Sequence, residues 1–358
     1  MNVFLTGGTG FIGQAIVRTM RGRSWDVRAL VRDVKSAPAR WLAEKGCTLV
    51  PGDVTRREGL VEAMAGIDVV MHNAGVYELG ADAATRERMQ QVNVNGTDHV
   101  LGAPLQAGVP RTVYVSSVVA LGASGYAPEP AAVKDETHRP DGRHLSPYNR
   151  SKAEAHQVAL AWRAKGLPLV IAMPNAVVGA NDHSVFGYFL RMHLAGVMSP
   201  IGFGGDATIA FVDVHALAEG LCLAAEKAPI GEDYIFSGNP ITLGATFEKF
   251  ARYPGGMKVR VQLPRWFMRP QMLLLEPLQR TMGLPAVLSR DAVDQSRGHF
   301  NYSAAKAHRD LGWTHPGSDE MWDSIIRRER ELIAKRRGFL NKLRHQGVVD
   351  DAPVATTN

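Results

Sequence analysis

Two stretches of this chain have the residue types and spacing for chemistry. Tyr148 and Lys152 stand one helical turn apart in Ser146-Pro147-Tyr148-Asn149-Arg150-Ser151-Lys152, so they share a helix face. A free phenol has a pKa of ~10, too high to shuttle protons readily near neutrality. An ammonium one turn away favours the phenolate and lowers that value, so Tyr148 is the expected proton donor and acceptor and Lys152 its tuner. The second stretch is Thr6-Gly7-Gly8-Thr9-Gly10-Phe11-Ile12-Gly13. Gly7 permits a tight turn, Gly10 lets backbone approach phosphates, and Gly13 lets the following helix pack on the preceding strand. The helix start then offers free N–H groups and a positive dipole end. Such a loop suits the diphosphate of a dinucleotide, and Thr6, Gly7, Gly10, Phe11, Ile12 and Gly13 are its expected contacts.

The elements that must position these residues can be read in order. Val3-Phe4-Leu5 is a strand feeding the loop, and Gln14 to Met20 continues as a helix. Val27 to Val31 is a second strand ending at Arg32-Asp33, about twenty residues after the loop, where an acid takes ribose hydroxyls or a base takes a 2′-phosphate. Arg32 favours the 2′-phosphate, since a guanidinium forks onto phosphate and stacks on adenine; the other reading leaves Arg32 on the surface and gives the ribose to Asp33. Thr48 to Val50 is a third strand, stopping at Gly52-Asp53-Val54. Asp53 either bonds the adenine amino group or caps a helix over 57–65. Asp68 to His72 ends in Asn73-Ala74-Gly75, small residues that leave room for the cofactor backbone. A helix over 83–107 holds Asn93, and Arg111 to Val115 ends in Ser116-Ser117. Strands alternating with helices predict a parallel sheet covered on both faces, its strand ends along one edge. A long loop, 122–147, is of the kind that is functional or mobile. Leu169 to Met173 is a sixth strand, ended by Pro174 before Asn175-Ala176-Val177.

Bulk properties bound the class. The chain has 358 residues, 45% of them hydrophobic, a net charge of +6 and a pI near 9.4. That is enough for a large core and for two domains or one elaborated domain. The basic residues are spread along the chain, which reads as solvated surface suited to an anionic cofactor and not as a nucleic-acid face. Cys47 and Cys222 fit neither a metal spacing nor a disulfide framework, so no metal is expected and a reducing cytoplasm fits. The start lacks the order of a signal peptide, and no apolar run reaches the ~18 residues of a membrane span. From about Arg336 the end turns basic, with a polar stretch from Asp350 expected to be disordered.

Together these residues resemble the extended short-chain dehydrogenase/reductase family, also called the NAD-dependent epimerase/dehydratase family, over roughly residues 1–335. The marks are the glycine loop, Gly52-Asp53-Val54, His72-Asn73-Ala74-Gly75, Asn93-Val94-Asn95-Gly96-Thr97, Ser116-Ser117, Tyr148 to Lys152, and Pro174 to Gly179. The resemblance implies an α/β fold, a Rossmann doubly wound parallel sheet over 1–178 with 206–238 returning to it. A smaller C-terminal substrate-binding domain would take 179–205 and 239–335, before a basic and polar tail over 336–358. It implies NADP, with NAD possible, held by the residues above with Val54, Asn73, Ala74, Gly75, Asn93, Val115, Pro174, Asn175 and Val177. Ser117 aligns with the family's substrate-polarising hydroxyl, and Lys152 would also hold the nicotinamide ribose. Asp213 and His215 are expected to be structural. A homodimer through the helices near 83–107 and 147–165 is implied.

The family splits by reaction. Dehydratases place extra acids beside the serine, whereas Val118-Val119-Ala120-Leu121-Gly122 supplies none. Leu30-Val31-Arg32-Asp33 looks like the dihydroflavonol reductase-like and hopanoid-associated epimerase-like branch. The run Leu263 to Leu275 is markedly apolar, which suggests a hydrophobic carbonyl or alcohol substrate. Alternatives are an amphipathic helix packed on the core, a diphosphate held by Arg265 and Arg269, or docking on a membrane. A nucleotide-sugar epimerase with bound NAD, and an NADP-binding regulator without turnover, remain as competing functions.

Overall fold

The structure, a computed structural model, describes residues 1–253, 258–281, 288–344 and 348. Seven short apolar runs make its central sheet: β1 (Asn2–Thr6), β2 (Asp26–Val31), β3 (Thr48–Pro51), β4 (Val69–His72), β5 (Thr112–Val115), β6 (Leu169–Pro174) and β7 (Asp233–Phe236). They pair in the order β7-β6-β5-β4-β1-β2-β3, every pair parallel. β4, β5 and β6 are buried along their whole length, as strands covered on both faces must be. The order reverses between β1 and β4, and in open sheets of this kind ligands bind beyond the carboxyl ends at such a point.

Helix α1 (Phe11–Gly22) packs on one face with α5 (Val214–Lys227), α2 (Gly96–Ala107) and α3 (Pro147–Ala164) on the other. The expected helix over 83–107 is three pieces. An α-helix, Ala83–Met89, passes through a π-helical stretch, Gln90–Asn95, before α2 resumes. π-turns within helices occur frequently at functional sites, and this one contains the buried Asn93. The expected helix over 57–65 shortens to Leu60–Ala63. Asp213 caps α5 by accepting from His215 N and Ala216 N, the structural part expected of it.

The second half of the chain builds a smaller assembly against the sheet edge. Strand Thr208–Asp213 lies between Ala176–Val178 and Pro240–Thr242, outside the seven-stranded sheet, so only part of 206–238 returns to that sheet. Around it stand α4 (Val185–Leu194), α6 (Arg265–Thr281) and α7 (Ser318–Lys335). The loop over 122–147 is tied down. Residues 125–126 pair with 298–299, and the Tyr302 hydroxyl donates to Gly122 O at 2.7 Å.

Residues 336–344 are packed onto the protein and are not a free tail. Arg336 is buried, donates to Lys342 O and Arg344 O, and lies 3.4 Å from the buried Glu329 carboxylate, which Arg191 also faces at 3.6 Å. A carboxylate sealed from water needs cations, and one of the two it has comes from this segment. A helix, Phe339–Leu343, follows, and Leu343 O accepts from Arg191 Nε. The polar stretch from Asp350 lies outside the described residues.

Candidate active site

A cavity of about 540 Å³ runs along the carboxyl edge of the sheet into the second assembly. Its first wall is the glycine loop. Gly7 has φ +72°, and a Cβ there would come within 2.7–2.8 Å of Asn73 and Ala74 backbone. Only glycine allows both that conformation and that approach. A Cβ on Gly13 would stand 2.0 Å from Gly7 O, so Gly13 sets how closely α1 meets the loop. α1 begins after Gly10 with no side chain capping it, and Gly10, Phe11 and Ile12 line the cavity. Its first N–H groups are available to an anion, and a dinucleotide diphosphate fits this cradle.

At one end, Arg32 lines the cavity with Gly52, Asp53 and Val54. Asp33 does not; its carboxylate accepts from Lys35 N at 2.8 Å within its own turn. Asp53 Oδ1 accepts from Thr55 N and Thr55 Oγ1, while the helix at Leu60 is capped by Gly59, so Asp53 is not its cap. Asn73, Ala74, Gly75, Val115, Pro174, Asn175 and Val177 form the middle of the wall. Asn175 is fixed by donating to Phe300 O at 2.8 Å.

Ser117, Tyr148 and Lys152 all line the cavity. Ser146 starts α3 by accepting from Asn149 N, and Pro147 fills the first turn, so Tyr148 enters the cavity from the helix's first turn. Burial pushes the Tyr148 phenol up to about 12, opposed by a hydrogen bond with Ser117. This corrects the expectation that Lys152 lowers it. The Lys152 ammonium instead donates to Val115 O at 3.2 Å and lies over the Tyr114 ring, and burial brings its own pKa down to about 8.

Three expected cofactor contacts are not on the cavity wall. Thr6 is buried, its hydroxyl shared between His72 Nδ1 at 2.8 Å and Ala74 N at 3.1 Å. Gly13 is behind the loop. Asn93, 2% exposed, accepts from Val76 N at 2.7 Å and donates to Val76 O and Ser151 Oγ, both at 2.9 Å. It therefore pins the chain after β4 to the helix carrying Tyr148 and Lys152. His72 completes the support, bonded also to Thr97 Oγ1, and burial with the nearby Lys152 charge holds it neutral by lowering its pKa to about 3.

Sequence reasoning missed the remaining lining. Tyr77 stands edge-on to Tyr148, ring centroids 4.8 Å apart. Asp182 is buried in the wall, with Ser184 N donating to it at 2.7 Å, and burial raises its pKa. Beyond lie Phe186, Phe189, Met198, Phe203, Ile209, Phe247, Leu288 and Phe300. Phe186 and Phe189 share a face of α4, a spacing visible in the chain; the others come from separate elements with no local pattern. Among the described residues from 176 onward, no lysine or arginine lines the cavity. Arg265 and Arg269 are turned to Asp206 and Asp294 instead.

The glycine cradle, the switch point and the strand-end pattern define a nucleotide-binding enzyme fold, and comparison with known proteins names its class. The chain belongs to the NAD dependent epimerase/dehydratase family, whose model matches residues 3–236. It is an NAD(P)-dependent enzyme of the extended short-chain dehydrogenase/reductase type. It is 31% identical over 319 residues to a 4-hydroxy-2-methyl-3-oxo-4-farnesyl-3,4-dihydroquinoline-1-oxide ketoreductase of Stigmatella aurantiaca, covering 87% of this chain and 92% of that one. It is likewise 31% identical over 335 residues to a 3 beta-hydroxysteroid dehydrogenase/Delta 5-->4-isomerase of Mycobacterium tuberculosis, with 87% and 85% covered. Among solved structures, gox2253 matches with a TM-score of 0.75 at 30% identity over 92% of this chain and 98% of that one. The dTDP-glucose 4,6-dehydratase DesIV of Streptomyces venezuelae, solved with NAD bound, matches with a TM-score of 0.73 at 21% identity, over 92% and 97%, a likeness of fold alone.

Proposed function

We propose that this oxidoreductase reduces the ketone or aldehyde of a small hydrophobic molecule, or oxidises the matching alcohol, with NADP and a Ser117-Tyr148-Lys152 site. The observation that carries the substrate class is the largely apolar, aromatic lining supplied from residue 176 onward, which among the described residues includes no lysine or arginine. A nucleotide sugar brings two phosphates that need cations or N–H donors; that part of the lining supplies neither lysine nor arginine among the described residues, and Arg88, on the helix Ala83–Met89, is the one guanidinium on the wall besides Arg32. The ketoreductase and hydroxysteroid relatives, named for apolar substrates, support the same class.

The nicotinamide, when bound, supplies the hydride for reduction. Ser117 Oγ and Tyr148 Oη, both on the cavity wall, converge on the oxygen of the reacting carbonyl. Tyr148 holds its proton at neutral pH and gives it to that oxygen as negative charge develops there; Ser117 stabilises the same charge by donating a hydrogen bond. Lys152, charged below about pH 8, sits where it can hold the ribose hydroxyls beside Tyr148. Arg32 forks onto the 2′-phosphate, which is the basis for NADP over NAD. The protein assembles as a homodimer through α2 and α3, which light scattering checks.

The deciding experiment incubates the purified protein with NADPH against a panel of apolar ketones and a panel of nucleotide sugars. Stoichiometric NADPH loss with an apolar ketone is the expected result. Sugar isomerisation with no net NADPH change would replace this reading by an epimerase, and tight NADP binding with no turnover on any substrate would make the protein a regulator.

A further inference from the structure

Helix α6 is held to the protein by its charged side. Arg265 pairs with Asp206, Arg269 with Asp294 and Arg280 with Asp82, while Met272 is its single buried residue among those described. The apolar side is turned outward. Trp266 is 74% exposed, Leu274 75%, and Leu273 and Leu278 each 55%, with Phe267 beside them. A monomeric protein seldom leaves such a run of large apolar groups in water.

The surroundings favour one kind of cover. α6 carries three arginines and one carboxylate, and that carboxylate, Glu276, is turned inward to Arg290. Lys258 and Arg260, both exposed, adjoin it with no ion-pair partner among the described residues. With the three arginines of α6 paired to Asp206, Asp294 and Asp82, the patch is an aromatic and leucine ridge whose uncompensated positive charge is that of Lys258 and Arg260. A second copy seated on it by a two-fold axis would bring like charges together. An anionic lipid surface supplies the opposite charge and an apolar layer for the ridge at once. The patch also continues into the cavity mouth. Ile201, 45% exposed, and Val259 line the cavity, and residues 201–202 pair with 261–262 just ahead of α6. Ala292 and Gln295 on the short helix Arg290–Gln295, which packs against α6, are cavity wall.

We infer that the outer face of α6 is a docking surface for an anionic lipid bilayer, on which the protein rests with its cavity mouth toward the acyl layer. Trp266, Phe267, Leu274 and Leu278 enter the interface to about 5–10 Å while the cations stay at headgroup level. The docking stands on this face and does not rest on the ketone reading; a nucleotide-sugar enzyme with the same face would dock equally.

Co-sedimentation of the full-length protein with vesicles of phosphatidylglycerol and phosphatidylcholine, compared with pure phosphatidylcholine, tests it. Binding should favour the anionic vesicles, fall as salt is raised, and blue-shift tryptophan emission. Trp266→Glu with Leu274→Glu should weaken binding at least tenfold, and Lys258→Glu with Arg260→Glu should remove the preference for anionic lipid. Dinucleotide affinity and melting temperature of both variants should match the parent, which separates loss of docking from loss of fold. Absence of binding to anionic vesicles overturns the inference, as does binding that Trp266→Glu with Leu274→Glu leaves intact. Light scattering in which that variant converts a dimer to a monomer would assign the face to a second copy and overturn it too.

Discussion

Asn93→Ala tests most directly how the site is held together. The side chain is 2% exposed and makes three hydrogen bonds, two to Val76 and one to Ser151. Truncation leaves Val76 N–H and Val76 C=O without that partner, while the Ser151 hydroxyl loses an accepted bond but still donates to Tyr148 O at 2.9 Å. Each buried group so stranded costs about 1–3 kcal/mol, and relaxation toward the cavity recovers part of that, so about 3 kcal/mol is expected. At about 2.1 cal/mol/K of unfolding entropy per residue, 358 residues give about 0.75 kcal/mol/K. The melting temperature should therefore fall by about 4 °C. The chain after Val76 carries Tyr77, whose ring holds Tyr148 edge-on, so kcat should fall roughly tenfold or more even at temperatures where the variant is fully folded. Calorimetry, with turnover measured well below the transition, separates the two effects. Asn93→Asp keeps the acceptor for Val76 N but loses both donated bonds, and should be no better than alanine. A variant with unchanged melting temperature and unchanged kcat would refute the assignment of Asn93 as the pin between the two halves of the site.

Other outcomes follow from the same geometry. Tyr148→Phe should lower kcat by about 10²–10⁴ with dinucleotide affinity unchanged; retained turnover would remove Tyr148 from its assigned role. Because burial lowers Lys152 to about 8, the ammonium is present below that pH and lost above it. A profile of kcat/KM for the dinucleotide, which reports groups of the free enzyme, should be level near pH 6–7 and fall about tenfold per pH unit above 8. Arg32→Ala should raise KM for NADPH roughly 10- to 150-fold, the loss of about 1.5–3 kcal/mol of charged hydrogen bonding, and leave NADH nearly unchanged; a parent enzyme that strongly prefers NADH would contradict the NADP assignment. Glu329→Gln leaves Arg191 and Arg336 buried without their counter-charge and should cost about 3–5 kcal/mol, read as a lower denaturant midpoint.

Much of this protein was legible in the chain because the relevant physics is local. A strand, a glycine turn and a helix start are contiguous, so Gly7, Gly10 and the uncapped start of α1 could be read as an anion cradle before any contact was known. Alternation of apolar runs with helical periods likewise determined the parallel sheet, and with it the edge where Arg32, Asp53, Asn73, Ser117 and Pro174 gather. The turn spacing of Tyr148 and Lys152 was enough to set them on one helix face.

What the chain alone left open depends on distance in sequence. Whether Lys152 lowers Tyr148 is decided by where its ammonium goes, and Val115 O and the Tyr114 ring, both from β5, take it. The resemblance implies that Asn93 helps order the site as well as touching the cofactor; which segments it joins, Val76 and Ser151, and that it stays off the cavity wall, are set by the tertiary structure. The run from Arg336 reads as the start of a basic and polar tail until Glu329, buried on α7, supplies the charge that draws Arg336 inward. Arg265 and Arg269 read as ligands for phosphate until Asp206 and Asp294 claim them. The apolar end of the cavity, drawn from α4, the small sheet and the segment around Leu288, has no sequence signature at all. Local patterns set backbone conformation; burial, charge pairing and the shape of a cavity arise only when segments far apart in the chain share one low-dielectric space.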